Sequence, residues 1–155
     1  MNTQEFKKVL SMGILATSAM TIFSYLVSEL MSENFREPEI MTVFIKDLLP
    51  TAKQYAPYLA WGLHYIIGFS FVIIYVKLWH SNKLKLNIQS GMLLGAISGI
   101  FGIIGWYITL KVYHNPLNTN LKDFFIILFF AHIVFGIFAM IGYALVKKRT
   151  DRIKS

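Results

Sequence analysis

Cysteine is absent from the 155 residues. Disulfides, thiolate metal sites and thiol redox chemistry are therefore excluded together. Charge is scarce as well: Asp, Glu, Lys and Arg make up 15% of the chain, where a soluble domain carries about 25%. There is too little polar material to coat a globule in water. No G-x-S-x-G, H-E-x-x-H or P-loop pattern occurs, and no apolar stretch carries paired carboxylates. Catalysis is not expected. The four prolines and ten glycines show neither a collagen-like nor a disordered bias.

What is present is apolar: 55% hydrophobic residues and a mean hydropathy of +0.55. A bilayer core about 30 Å thick needs roughly 20 apolar helical residues. Four stretches meet this, at about 9–30, 58–79, 88–112 and 124–146, with no charge in their central parts. Glu29, Lys77 and Lys111 lie near span ends, where long side chains reach the interface. An all-α membrane protein follows, a single polytopic domain built as a four-transmembrane-helix bundle. Ten of the fifteen basic residues fall on the side of the termini and the second loop, and six of the eight acids fall on the other. The distribution predicts both termini in the cytoplasm. The formal charge of +7 is then topological, and no nucleic-acid partner is expected. Lys7 and Lys8 resemble the start of a signal peptide, but the apolar run is longer than about 15 residues and no A-x-A-like site follows it. A retained helix is expected.

The outer loop, about 31–57, is the largest piece outside the spans. Between Pro38 and Leu49, Ile40, Val43, Phe44, Leu48 and Leu49 recur at mixed helical spacing. Two readings fit: an amphipathic helix lying on the outer surface, or a linker helix packed over the bundle mouth.

The chain also repeats itself. His64, Gly68 and Tyr75 in the second span match His132, Gly136 and Tyr143 in the fourth, both as H-x-x-x-G-x-x-x-x-x-x-Y. Steps of 4 and 7 stay on one helix face. In the odd-numbered spans, Gly13, Thr17, Thr21 and Ser24 match Gly91, Gly95, Gly99 and Gly102. Small residues four apart let helices approach closely. The expected arrangement is two parallel-repeat helical hairpins related by a pseudo-two-fold axis along the membrane normal.

Gly13, Ala16, Thr17, Met20 and Thr21 in the first span, with His64/Gly68 and His132/Gly136 in the even-numbered spans, resemble YagU-like small four-span bacterial inner-membrane proteins. The resemblance implies the fold and an inner (cytoplasmic) membrane location. That family has no established activity to carry over.

An ionisable residue inside a span is a functional candidate by default. His64 and His132 are placed to reach similar depths, roughly 9–12 Å below the outer end at ~1.5 Å per residue. A b-type haem would take a neutral imidazole from each of two facing helices, with Gly68 and Gly136 allowing close approach and Tyr65, Phe69, Phe129 and Phe135 as walls. The plainer reading makes the histidines interhelical hydrogen-bonding groups, with no cofactor. Two histidines without carboxylates fall short of a zinc site, so no metal is expected. His80 and His114 belong to loops. Tyr75, Tyr143, Trp61, Trp79 and Trp106 suit the interfacial aromatic belt.

Three functions are then in play. The leading one is a small integral membrane protein acting by association, with itself as a homo-oligomer or with a larger membrane complex. It draws on the small-residue faces and on a polar stripe of Thr17, Thr21, Ser24 and Ser28 at steps of 4, 3 and 4. The second is a haem-bearing electron-transfer subunit. The third is a dimeric small-solute transporter, disfavoured because no span carries a central carboxylate; Glu29 lies near an end.

Overall fold

The computed structural model describes residues 3–113 and 119–154. Five α-helices occur among them, with no strand: α1 (Thr3–Met31), α2 (Glu37–Leu48), α3 (Ala56–His80), α4 (Ile88–Val112) and α5 (Leu121–Lys154), plus a 3-10 segment, Pro50–Tyr55, between α2 and α3. Four stretches are long and apolar enough to cross a membrane: Val9–Met31, Pro50–His80, Ile88–Val112 and Leu121–Lys147. They match the four spans expected from the sequence, and the chain is a small multi-pass integral membrane protein.

The helix ends are set by local chemistry. Ser32 (φ 53°) and Asn82 (φ 55°) adopt the left-handed conformation just past α1 and α3. There the Glu33 and Lys83 amides bond back to the Ser28 and Leu78 carbonyls, closing each helix as a C-terminal cap. Asn87 and Ser90 form a reciprocal capping box that starts α4. Glu37 and Glu39 sit in the first turn of α2, where the helix dipole favours acids.

In cross-section the long helices form an arc in the order α3, α1, α5, α4. The tightest packing is between α4 and α5, which run antiparallel. A Cβ on Gly91 would meet the Gly136 carbonyl oxygen at 2.9 Å, and one on Gly95 would meet the Ile133 Cα at 2.8 Å. Only glycine permits this backbone-to-backbone approach. Helix α1 packs on α5 through a dry core that includes Met12, Ala16, Met20, Ala131, Phe135 and Ala139. Between α1 and α3 the approach is governed by side chains: Gly68 faces the Thr17 hydroxyl and Gly13 faces the Phe69 ring.

The ends of the arc, α3 and α4, scarcely bring their backbones together. The hydrogen bonds between them lie at one end. There the Tyr75 hydroxyl lies 2.7 Å from both the Leu94 carbonyl oxygen and Ser98 Oγ, and Trp79 Nε1 donates to Ser90 Oγ at 3.0 Å. Tyr75 and Trp79 are 2% and 4% exposed. This corrects their expected place in an interfacial belt, as does the burial of Trp106. The hydroxyl and indole N–H find partners inside the bundle, so neither ring needs the water interface. Trp61, by contrast, is exposed.

Helix α2 bridges the other end. Phe35, Ile40 and Phe44 pack on Trp106, Phe124 and Leu128, while Ile45 packs on Ala56 and Ala60 at the start of α3. The outer loop thus forms a helix whose apolar face packs over this end of the bundle. The amide of Phe35 donates to Ser28 Oγ at 3.0 Å, tying the loop to the polar stripe of α1. All four residues of that stripe, Thr17, Thr21, Ser24 and Ser28, are buried.

Candidate functional site

Because α3 and α4 meet at one end and are bridged by α2 at the other, a crevice of about 420 Å³ lies between them. That is within the range of small-molecule sites, roughly 300–1,000 Å³. Both sequence-predicted histidines line it, as do Gly68, Gly102, Gly105 and Trp106. Apart from Glu37 and Thr109, whose hydroxyl donates to the Gly105 carbonyl of its own helix, the remaining walls are apolar or aromatic, with Met20, Phe44, Phe71 and Phe135 among them.

His64 and His132 are each 5% exposed, and both are already hydrogen-bonded. Thr21 Oγ1 donates to its own-helix Thr17 carbonyl at 2.8 Å. Its single proton is then committed, so His64 Nε2–H is the donor in the 2.9 Å contact with Thr21 Oγ1. The free nitrogen of His64 is Nδ1. His132 Nδ1–H donates to the Leu128 carbonyl at 2.9 Å, which leaves Nε2 as the lone-pair atom of the neutral ring. Gly102 makes room for that edge: a Cβ there would sit 3.2 Å from Nε2. Among the described residues neither free nitrogen has a hydrogen-bond partner. Thr21 holds the Nε2 of His64 toward α1, and the Nε2 of His132 lies beside Gly102 of α4. Axial ligation through Nε2 would cost His64 its Thr21 bond.

Gly136 admits α4 to the backbone of α5. Gly68 admits the Thr17 side chain of α1. Tyr143 is half-buried and lies against the Trp79 ring at 5.5 Å. His80 is exposed at the end of α3, and His114 lies outside the described residues.

The residue that sequence reasoning missed is Glu37. It is 7% exposed and lines the crevice. Its Oε1 accepts from Trp106 Nε1 at 3.2 Å, and Oε2 is buried without a partner. Trp106 stands six residues before the end of α4, about 9 Å along the helix at ~1.5 Å per residue, so α2 carries this carboxylate below the helix ends. Its charge lies within electrostatic range of His64, as does the ring of His132. A signal was available in the sequence. Glu37, Ile40 and Phe44 follow steps of 3 and 4, which put the acid on the buried face of α2, whereas Glu39 falls off that face.

No three potential ligands among the described residues converge closely enough to hold a metal ion. The carboxylate and the two imidazoles are spread along the crevice and suit an extended ligand. No protein-family model, curated protein or solved structure matches this chain.

Proposed function

We propose that this membrane protein is a binder or carrier of a small amphiphilic solute, with the crevice between α3 and α4 as its site and no chemistry performed on the ligand. The observation behind the reading is a buried carboxylate and two half-satisfied histidines sharing one apolar cavity that is not enclosed. Buried polar atoms without partners cost free energy, and a bound polar group would offset that cost. No span carries a central carboxylate, but Glu37 of α2 supplies a buried one to the crevice, which favours transport.

The local contacts support a repeat within the fold. His64 and Gly68 face Thr21 and Thr17, while His132 and Gly136 face Gly99 and Gly95, the same pairs that the sequence alignment of the two halves makes. Kinship with the YagU-like proteins, an inner-membrane location and cytoplasmic termini belong to the same proposal. Association with a partner is the second reading, favoured by the open edge of the arc, where a foreign helix could seat between α3 and α4. The haem reading is carried by both histidines lining one cavity.

Filling the cavity separates these readings. Gly105 lines the crevice and has nothing within 4 Å of an added Cβ; Gly62 is equally open but does not line it. In calorimetric titrations with phenethyl alcohol and phenethylammonium, corrected for empty detergent micelles, the native protein and Gly62→Phe are expected to bind saturably and Gly105→Phe is not. Absence of saturable binding, or binding unchanged in Gly105→Phe, overturns the proposal.

A further inference from the structure

The polar lining of the crevice is one-sided in hydrogen-bonding sense. His64 Nδ1 and His132 Nε2 are lone-pair atoms, because the other nitrogen of each ring gives its proton to Thr21 Oγ1 or to the Leu128 carbonyl. Glu37 Oε2 is an acceptor with no protein donor. The Trp106 N–H, the one indole donor in the lining, is spent on Glu37 Oε1. Arg36, the cation nearest in sequence to Glu37, is drawn away to Glu29 and Glu39 and does not line the cavity. The crevice therefore holds one anionic side chain, no cation, and three acceptors lacking donors.

Its walls add to the same preference. Trp106, Phe44, Phe71, Phe101 and Phe135 line it, and aromatic faces attract cations, more strongly where water is excluded. An anionic ligand would meet Glu37 without a counter-charge. A neutral ligand would leave that carboxylate buried and uncompensated, which is costly.

We infer that the ligand of the crevice is an ammonium-bearing amphiphile, a protonated primary amine whose N–H groups are taken up by Glu37 and whose apolar body lies between α3 and α4 past the two histidines. The inference rests on the crevice being a binding site at all, and it adds the chemistry of the ligand. Two sources supply that chemistry: the ethanolamine headgroup of a bilayer lipid, reaching in through the gap between α3 and α4, and a free amine of similar polarity.

The test uses the full-length chain in maltoside micelles and four ligands of matched size: phenethylammonium, its trimethylammonium analogue, phenethyl alcohol and hydrocinnamate. Phenethylammonium is expected to bind at least about tenfold more tightly than each of the others, a difference worth about 1.4 kcal/mol. The trimethyl analogue keeps the charge and loses every N–H donor, so it isolates the hydrogen bonds from the cation. Glu37→Gln keeps an oxygen for the Trp106 N–H and so preserves that packing contact. It is expected to abolish the preference for the ammonium over phenethyl alcohol, and Glu37→Asp is expected to restore part of that preference. Alcohol or hydrocinnamate binding as tightly as the amine, or an undiminished preference in Glu37→Gln, overturns the inference. If all four bind alike, the crevice stands as a site and the ammonium assignment falls. If none saturates, both fall. Repeating the titration in nanodiscs distinguishes the sources. A weaker apparent affinity in phosphatidylethanolamine than in phosphatidylcholine identifies the lipid headgroup as resident, and equal affinities identify a free amine.

Discussion

Four glycines in this chain carry different loads, and replacing each by alanine measures how the bundle is held together. At Gly136 a new Cβ would lie 2.8 Å from the Gly95 Cα and closer still to the Gly91 carbonyl oxygen. Ordinary carbon contacts are about 3.5–4.0 Å, so α4 and α5 must separate by about 1 Å along their tightest seam. Both obstacles are backbone, and no rotamer change relieves them. Overpacking of this kind costs about 1–3 kcal/mol. At roughly 2–4 °C per kcal/mol for a chain of this size, the melting midpoint of Gly136→Ala should fall by about 2–12 °C. Gly68→Ala meets only the Thr17 side chain, which can turn aside, and should lose about half as much. Gly62→Ala and Gly105→Ala meet nothing within 4 Å and should lose nothing. The assay is loss of far-ultraviolet circular dichroism on heating in dodecyl maltoside, at one fixed scan rate because membrane proteins often unfold irreversibly. A midpoint for Gly136→Ala within about 1 °C of Gly62→Ala would refute close backbone packing as the source of the α4–α5 interface.

The Thr21–His64 bond is buried at both ends, so Thr21→Val, which strands the imidazole N–H, should cost about 1 kcal/mol and Thr21→Ser should restore it, read as the same melting midpoint. Thr17 Oγ1 is buried without a partner; Thr17→Ala should therefore be neutral or stabilising alone and should rescue Gly68→Ala, a coupling a double-mutant cycle detects. Since the chain has no cysteine, single cysteines report sidedness directly. A cysteine at Gln54 should react with an impermeant maleimide in intact cells and one at Ser81 only after permeabilisation; the reverse pattern would invert the proposed orientation. For the haem reading, a Soret band lost in both His64→Ala and His132→Ala would carry it, and a colourless folded protein from haem-replete cells would end it.

The spans were legible because a bilayer imposes a length and an apolar composition that no local context overrides. A close backbone approach along α4 was legible too, because glycines four apart have a single steric consequence, but not the helix that would meet them. Much of the site was not. His64 and His132 could be singled out as ionisable groups in apolar helices, but their partners depend on which helix each ring faces. Helical periodicity gives a face without naming the neighbour. Glu37 lies outside every span, and a hydropathy reading assigns it to the loop. Its burial follows from tertiary packing, once Ile40 and Phe44 dock against Trp106 and draw the same face of α2 inward. Tyr75 and Trp79 were misplaced for a related reason. An aromatic ring with a polar tip near a span end satisfies the interfacial pattern equally well whether its partner is water or a serine on the next helix.

The crevice itself follows from an unequal filling of a repeated pattern. At the equivalent tyrosine positions, Tyr143 is half-buried while Tyr75 is driven between α3 and α4 to reach Leu94 and Ser98. With Trp79 beside it, bonded to Ser90, Tyr75 acts as a spacer that sets the separation of these two helices at one end. Further along α4 the residues facing the gap include Gly102 and Gly105, which have no side chain to fill it. Glycines at the α4–α5 seam draw two backbones into contact; glycines opposite a spacer leave a void instead. Helix α2 then covers the far end and delivers Glu37. The spacer makes a specific demand on the energetics. Removing the Tyr75 hydroxyl alone, as Tyr75→Phe, should keep the separation and cost about 1 kcal/mol in stability, with the crevice intact. Tyr75→Ala should let α3 and α4 close or leave a cavity, costing about 3–5 kcal/mol if the space is not refilled, and binding of phenethylammonium should fall with it. If Tyr75→Ala lost stability while retaining full binding, the spacer would be irrelevant to the crevice, and the site would have to owe its shape to α2 alone.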